Sequence, residues 1–376
     1  MRIVVAIDSF KGSLSSIQAG NAVRDAALKL YNDAVVSVKP LADGGEGTVE
    51  ALCTGLGGQL ITKQVCGPRM RPVAAQYGIL PNGTAVIEMA SAAGITLIGP
   101  DERDPLETTS YGVGEVIRDA IERGCRQFIV GIGGSATNDG GIGMLSALGY
   151  RFLDQNGEEV PLGGKGLEKL HHISTENVIP ELNQCRFRVA CDVTNPLCGE
   201  TGCSAVYGPQ KGATPEMIRD MDKWLDRYGR VAKEASETAD ADHPGAGAAG
   251  GLGFAFLAFT NAVLESGIRI VLEEIRLEDD IKDADLVITG EGRLDGQTVM
   301  GKAPIGVAKL AKKHGKKVIA FSGCVTEDAE ACNEQGIDAF FPILRGVVTL
   351  EEALDTENAY KNLKATACQV LRLLQL

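Results

Sequence analysis

The sequence predicts an α/β fold in which a parallel-sheet domain is interrupted by a second α/β domain containing mixed sheet. Short β-branched runs that end in glycine or acidic residues alternate with stretches of helical periodicity, the pattern of parallel strands joined by helices. The chain is 44% hydrophobic but only 5% aromatic, so its core is built from Val, Ile, Leu and Ala, as strands covered on both faces require. Residues 59–105 break the pattern with alternating runs and turns, and a length of 376 residues suits about two domains.

Residues 3–7 form the first strand, which ends at Asp8. The loop after it carries Ser9 and Lys11, and Ser15 with Gln18 has the spacing of a capping box for a helix over 17–30. Lys11 therefore lies near free helix N–H groups, either as a ligand-binding cation or as a solvated surface charge. Residues 34–38 form the second strand, followed by Asp43-Gly44-Gly45-Glu46-Gly47-Thr48. Two carboxylates separated by two glycines suit magnesium or a hydroxyl, because hard cations take oxygen donors. The alternative is a turn whose acids cap the helix that starts near Thr48. Asn82-Gly83, between alternating runs, signals a β-hairpin.

A helix over 113–123 and a strand over 128–130 lead into Gly131-Ile-Gly-Gly-Ser-Ala-Thr-Asn-Asp-Gly-Gly, with apolar helical residues from Ile142 on. Glycines in a strand–turn–helix bring backbone N–H groups close to a ligand, and the helix N-terminus adds partial positive charge, so an anion is expected there. Gly133, Gly134, Ser135, Thr137 and Asn138 are the candidate donors, and Asp139 is an acceptor for a metal ion or a hydroxyl. Residues 150–153 and 159–160 flank Asn156-Gly157 as a second hairpin. A strand ends at Asp192 and is closed by the turn Asn195-Pro196. Pro244 to Gly251 is a hinge or a tight packing site before an apolar helix over 254–264. Strands over 285–289, 317–322 and 339–344 complete the parallel sheet, and the first of them runs into Gly290-Glu291-Gly292-Arg293-Leu294-Asp295. The boundaries follow as 1–59, 106–148 and 261–376 for the parallel-sheet domain and 60–105 with 149–260 for the inserted one, with the active site expected in the cleft between them.

A net charge of -13 argues against nucleic acid and against anionic membrane surfaces as partners. No apolar run approaches the roughly 20 residues that span a bilayer. Ten cysteines with no secretion signal read as reduced thiols in the cytoplasm, and the spacing of Cys191, Cys198 and Cys203 matches no zinc pattern. Gly131 to Ala136 fits the dinucleotide fingerprint, with Asp154 near the position of the ribose-binding acid. However, Asn156-Gly157 makes a hairpin more natural there than the next parallel strand, which weakens an NAD-dependent dehydrogenase reading. Gly296 to Ala303 nearly spells a Walker A loop but lacks its Ser or Thr; Lys302 is a phosphate ligand or a surface lysine. His171 and His172 lie away from every glycine loop, so base chemistry falls to carboxylates.

Seven blocks in order resemble the bacterial glycerate kinase family, and more narrowly its class that phosphorylates the 2-hydroxyl of D-glycerate. They are Asp8-Ser-Phe-Lys-Gly-Ser-Leu-Ser, Ala42-Asp-Gly-Gly-Glu-Gly-Thr, the loop from Gly131 to Gly141, Ala190-Cys-Asp-Val-Thr-Asn-Pro-Leu, Gly208-Pro-Gln-Lys-Gly-Ala, Pro244-Gly-Ala-Gly-Ala-Ala-Gly-Gly and Gly290-Glu-Gly-Arg-Leu-Asp. Gly12 and Gly296 stand where other members carry larger residues. The resemblance implies a discontinuous Rossmann-like domain and transfer of a phosphoryl group from ATP to glycerate with magnesium. It also implies small-molecule partners alone, in a monomer or homodimer. A catalytically silent small-acid binding protein is the remaining alternative, although acids at several strand ends would repel a bound anion.

Residue type and placement then suggest roles. Gly133, Gly134, Ser135, Thr137, Asn138 and Lys302 hold phosphate, Lys11 and Arg293 stabilise charge, and Asp192 or Asp295 accepts the hydroxyl proton. Asp8, Ser9, Asn195 and Glu291 contact substrate, and Asp43 with Glu46 holds magnesium. The acids are open to exchange of roles.

Overall fold

The computed structural model describes residues 1–375. In chain order its strands are β1 (Arg2–Ile7), β2 (Val35–Pro40), β3 (Gln59–Cys66), β4 (Pro72–Ile79), β5 (Thr84–Glu88), β6 (Gln127–Gly131), β7 (Arg151–Leu153), β8 (His172–Ser174), β9 (Arg186–Ala190), β10 (Ala262–Glu265), β11 (Leu286–Leu294), β12 (Lys317–Val325) and β13 (Ala339–Pro342). Packing divides the chain into two units: Met1–Asp43, Glu50–Gly57 and Ile268 onward in the first, Gly44–Val49 and Gly58–Gly267 in the second.

The first unit is an all-parallel sheet in the order β13-β12-β11-β1-β2. Ile3 to Ile7 are buried throughout, as a central strand covered on both faces demands. The helix Ser16–Leu30 begins at the expected capping box, with Gln18 N–H donating to Ser15 Oγ and Ser15 N–H to Gln18 Oε1. Its Ala19, Ala22, Val23 and Ala26 recur at helical spacing. They meet Ile3, Val5 and Ile7 of β1 and Leu363, Ala367 and Leu371 of the helix Thr356–Leu373 in one core. Each large aliphatic side chain buried there contributes roughly 1.5–3 kcal/mol. Ile7 stands opposite Gly290 of β11 and Pro40 of β2, so Asp8, Glu291 and Asp43 leave the sheet at its carboxyl edge.

The second unit is a mixed sheet in the order β10-β9-β6-β5-β4-β3, with β10, β9, β6 and β5 parallel and β4 antiparallel to both its neighbours. The hairpin expected at Asn82-Gly83 joins β4 to β5. Phe128 of β6 stacks on Phe187 of β9 with ring centroids 4.7 Å apart, and Phe256 packs on Phe187.

Three expectations are corrected. Residues 106–148 belong to the second unit, because β6 pairs with β5 on one side and β9 on the other. Residues 261–267, expected in the parallel-sheet domain, also belong to the second unit, where β10 pairs with β9. The hairpin expected around Asn156-Gly157 does form, with Leu153 bridging Glu159 and the Val160 N–H donating to Phe152 O at 2.9 Å, while β7 pairs with β8 as well. The apolar helix spans Ala248–Phe259, and the residues expected to end it form β10 instead. The glycine stretch at its start, where Ala249, Gly250 and Gly251 depart from helical backbone, packs tightly: a Cβ added at Gly250 would lie 2.1 Å from the carbonyl oxygen of Thr137. Among the described residues no helix is long and apolar enough to cross a membrane.

Candidate active site

In the first unit, the carboxyl ends of β1, β2 and β11 gather acids that the sequence spreads over nearly 300 positions. Asp8 is buried and takes the N–H of Ser9 at 2.7 Å. Burial pushes its carboxyl up to about 7, with the like charges of Asp43 and Glu291 adding to the push and Ser9 and Lys11 opposing it. Glu291 is also buried and raised, first by desolvation, while it takes the hydroxyl of Thr298 at 2.8 Å. Asp295 Oδ1 receives the N–H groups of Gln297 and Thr298, at 3.0 and 3.2 Å. Lys302 Nζ lies 3.6 Å from Asp295 and 3.8 Å from Glu291. Arg293 is largely exposed and pairs with Asp295 Oδ2 at 3.2 Å, and Lys11 is exposed. This edge therefore combines a buried carboxyl held near neutrality with the cations Lys11, Arg293 and Lys302.

In the second unit the glycine-rich loop after β6 divides into an open lip and a buried rear. Gly133 and Gly134 are exposed. Gly134 has φ 74°, a left-handed conformation that turns successive N–H groups outward. Among the described residues the N–H groups of Gly133, Gly134 and Ser135 meet no acceptor. Three consecutive free donors form a nest for an anion. Ser135, Thr137 and Asn138 are buried. The Asn138 amide donates to Ser204 Oγ at 2.9 Å and its Oδ1 has no partner, so Asn138 shapes the loop from behind. Asp139 was open to a metal or hydroxyl role by sequence. Here it is fully buried and consumed by Ser110 and Gly141, so no acid faces the nest from this position.

Asp192 is exposed beyond β9 and takes the N–H of Gly267 at 3.3 Å. Both ends of the Asn195 amide serve the fold, donating to the Thr201 carbonyl and accepting from the Tyr207 hydroxyl. Glu46 is exposed, and its charge is felt by the half-buried Glu88, whereas Asp43 acts on Asp8. Among the described residues no three His, Cys, Asp or Glu side chains gather as a ready metal cage.

Sequence reasoning passed over Lys211. It is buried behind the loop, donating to Thr137 O at 2.6 Å and Ser135 Oγ at 3.1 Å. Its position between Gly208-Pro209 and Gly212 reads as an ordinary turn; the only sequence signal was its place in one of the seven blocks.

The glycerate kinase family model matches residues 3–375. A glycerate kinase of Haemophilus influenzae is 46% identical over 375 residues, covering 100% of this chain and 99% of that protein. A glycerate 2-kinase of Escherichia coli is 48% identical over 364 residues, covering 96% and 95%. A crystal structure from Salmonella typhimurium, provisionally described as glycerate kinase 2, superposes with a TM-score of 0.93 at 47% identity, covering 100% of this chain and 98% of that one. The chain belongs to the glycerate kinase family, a family of phosphotransferases.

Proposed function

We propose that the chain transfers the terminal phosphoryl group of ATP to the 2-hydroxyl of D-glycerate, giving ADP and 2-phospho-D-glycerate. The observation that carries this reading is the nest of free N–H groups at Gly133, Gly134 and Ser135 in a chain of this family. Phosphoryl transfer needs positioning and charge cancellation more than covalent chemistry, and such a nest supplies both. The choice of the 2-hydroxyl follows the name of the Escherichia coli relative. The dehydrogenase reading loses its ribose ligand, because the Asp154 carboxylate is taken by the N–H groups of Asn156 and Glu158 in its own turn.

Gly133, Gly134 and Ser135 hold phosphate oxygens, and Thr137 and Asn138 keep the loop in shape behind them. Lys11, Arg293 and Lys302 offset charge on the transferring group. Asp8 replaces Asp192 and Asp295 as the proton acceptor, since it is the acid held near neutral pH and Asp295 is occupied by its own turn. The oxygen-only donor set with surplus negative charge at Asp8, Asp43 and Glu291 fits a hard divalent cation. Asp43 would hold magnesium, which when bound supplies charge cancellation on phosphate. Glu46 is not assigned to that set.

The test is purified protein with ATP, magnesium and D-glycerate, following ADP release and identifying the product by phosphorus NMR. Glycerate-dependent ADP with a 2-phosphoglycerate resonance is expected. A 3-phosphoglycerate resonance would refute the regiochemistry, and absence of glycerate-dependent ADP would refute the reaction.

A further inference from the structure

Lys211 lies on the short turn Pro209–Lys211 and is 3% exposed. Among the described residues no carboxylate comes within ion-pair distance of its ammonium, although the buried Asp139 acts on it from farther away, and its two hydrogen-bond acceptors, Thr137 O and Ser135 Oγ, are both neutral. Taking an ammonium out of water costs several kcal/mol when no counter-charge meets it. A lysine kept only to tether the loop could be replaced by a neutral donor at lower cost.

The position of the charge indicates what it serves. Ser135 Oγ accepts from Lys211 at 3.1 Å and from the Thr137 N–H at 3.1 Å. A hydroxyl has two lone pairs, so with both filled Ser135 can act only as a donor. Its internal acceptors are the carbonyl of Thr137 at 3.2 Å, which also receives Lys211 at 2.6 Å, and the hydroxyl of Thr137 at 3.2 Å. Ser135 is thus left as a donor beside the three free N–H groups, where a bound anion offers a charged acceptor in place of Thr137.

We propose that Lys211 is a positioning residue for polyphosphate binding: its buried ammonium keeps Ser135 in the donor role and supplies counter-charge for the phosphate received by Gly133, Gly134 and Ser135. This rests on the phosphoryl-transfer reading above. Burial lowers the lysine to about 8, so the ammonium form is present at neutral pH.

The experiment compares wild type with Lys211→Met and Lys211→Arg. It reads KM for ATP, KM for glycerate and kcat, together with the calorimetric Kd of inorganic tripolyphosphate. Folding is checked by circular dichroism and thermal unfolding. In folded Lys211→Met, KM for ATP and Kd for tripolyphosphate should rise about tenfold or more, the effect of one lost charge-assisted contact, while KM for glycerate stays within about threefold. A purely structural role would shift both KM values together. A folded Met variant with unchanged tripolyphosphate affinity overturns the proposal. If the Met variant does not fold, Lys211→Arg decides: retained tripolyphosphate binding supports a charge role and its loss in a folded protein overturns it. If no variant at 211 folds, Lys211 is a stability element and the proposal also fails. Wild type without ATP-dependent phosphorylation would remove the underlying reading, which is a distinguishable result.

Discussion

The carboxylate of Asp139 takes both the backbone N–H and the hydroxyl of Ser110, at 2.8 and 2.9 Å, in a place where neither residue is exposed to solvent. Ser110 Oγ in turn accepts the N–H of Met144, so the entry to the helix Tyr111–Glu122 and the helix Ile142–Ala147 are tied to the glycine-rich loop. Ser110→Ala should cost about 1–3 kcal/mol, because it strips a donor from a buried carboxylate. Asp139→Ala should cost more. Urea unfolding measures both. Where Ser110→Ala remains folded its turnover should fall little, which a catalytic role for the pair would contradict.

Asp8 should link stability to pH. Its folded-state pKa is raised from 3.8 to about 7, so its favourable contribution is complete below the unfolded value and is lost as pH rises through the folded one. Asp8→Asn escapes that loss. It should be more stable than wild type by up to about 4 kcal/mol near pH 8, with the advantage shrinking toward pH 4. Its kcat should nevertheless drop by about 10²–10⁴, the usual contribution of a general base. Denaturation at several pH values and steady-state rates check the two halves separately. Greater loss of kcat in Asp192→Asn or Asp295→Asn than in Asp8→Asn would return the base to one of those residues.

Two glycines of similar appearance should behave differently. A Cβ at Gly133 meets nothing within 4 Å, whereas one at Gly250, where φ is 69°, collides with the Thr137 carbonyl at 2.1 Å. Gly250→Ala should destabilise the protein by several kcal/mol, since backbone strain and a clash coincide. Gly133→Ala should leave stability within about 1 kcal/mol but raise KM for ATP, because the methyl group intrudes on the nest. Paired thermal unfolding and kinetics distinguish the cases. A wild-type KM in the Gly133→Ala variant would exclude the lip of the loop from phosphate binding.

Much of the first unit was legible because a parallel sheet imposes its own bookkeeping: an apolar run that stops at an acid puts that acid at the carboxyl edge. On this ground the sequence gathers Asp8, Lys11, Asp43, Glu291, Arg293 and Asp295 at one edge, but it gathers Glu46, Gly133 and Asp139 there too, and those belong to the second unit. The same reasoning could not say which sheet β6 joins, because a run such as Phe128-Ile129-Val130 suits any buried parallel strand and its neighbours are chosen by contacts far along the chain. Asp139 looked available because its partner Ser110 lies 29 residues upstream. Lys211 received no role because Gly-Pro-Gln-Lys-Gly has the composition of an ordinary turn. β7 pairs with β8 as well as with the adjacent hairpin limb, a second partner that local turn signals do not reveal.

The first unit's sheet places β1 beside β11, nearly 300 residues later in the chain, and the helix Ser16–Leu30 shares its core with Thr356–Leu373. On a ribosome adding about 5–20 residues per second, the opening segment therefore waits on the order of tens of seconds for its partners. The long continuous stretch Gly58–Gly267 can meanwhile assemble its own sheet. β1 is thus made long before β11 can enclose it, and its apolar residues 3–7 are open to chaperones or to aggregation in the interval.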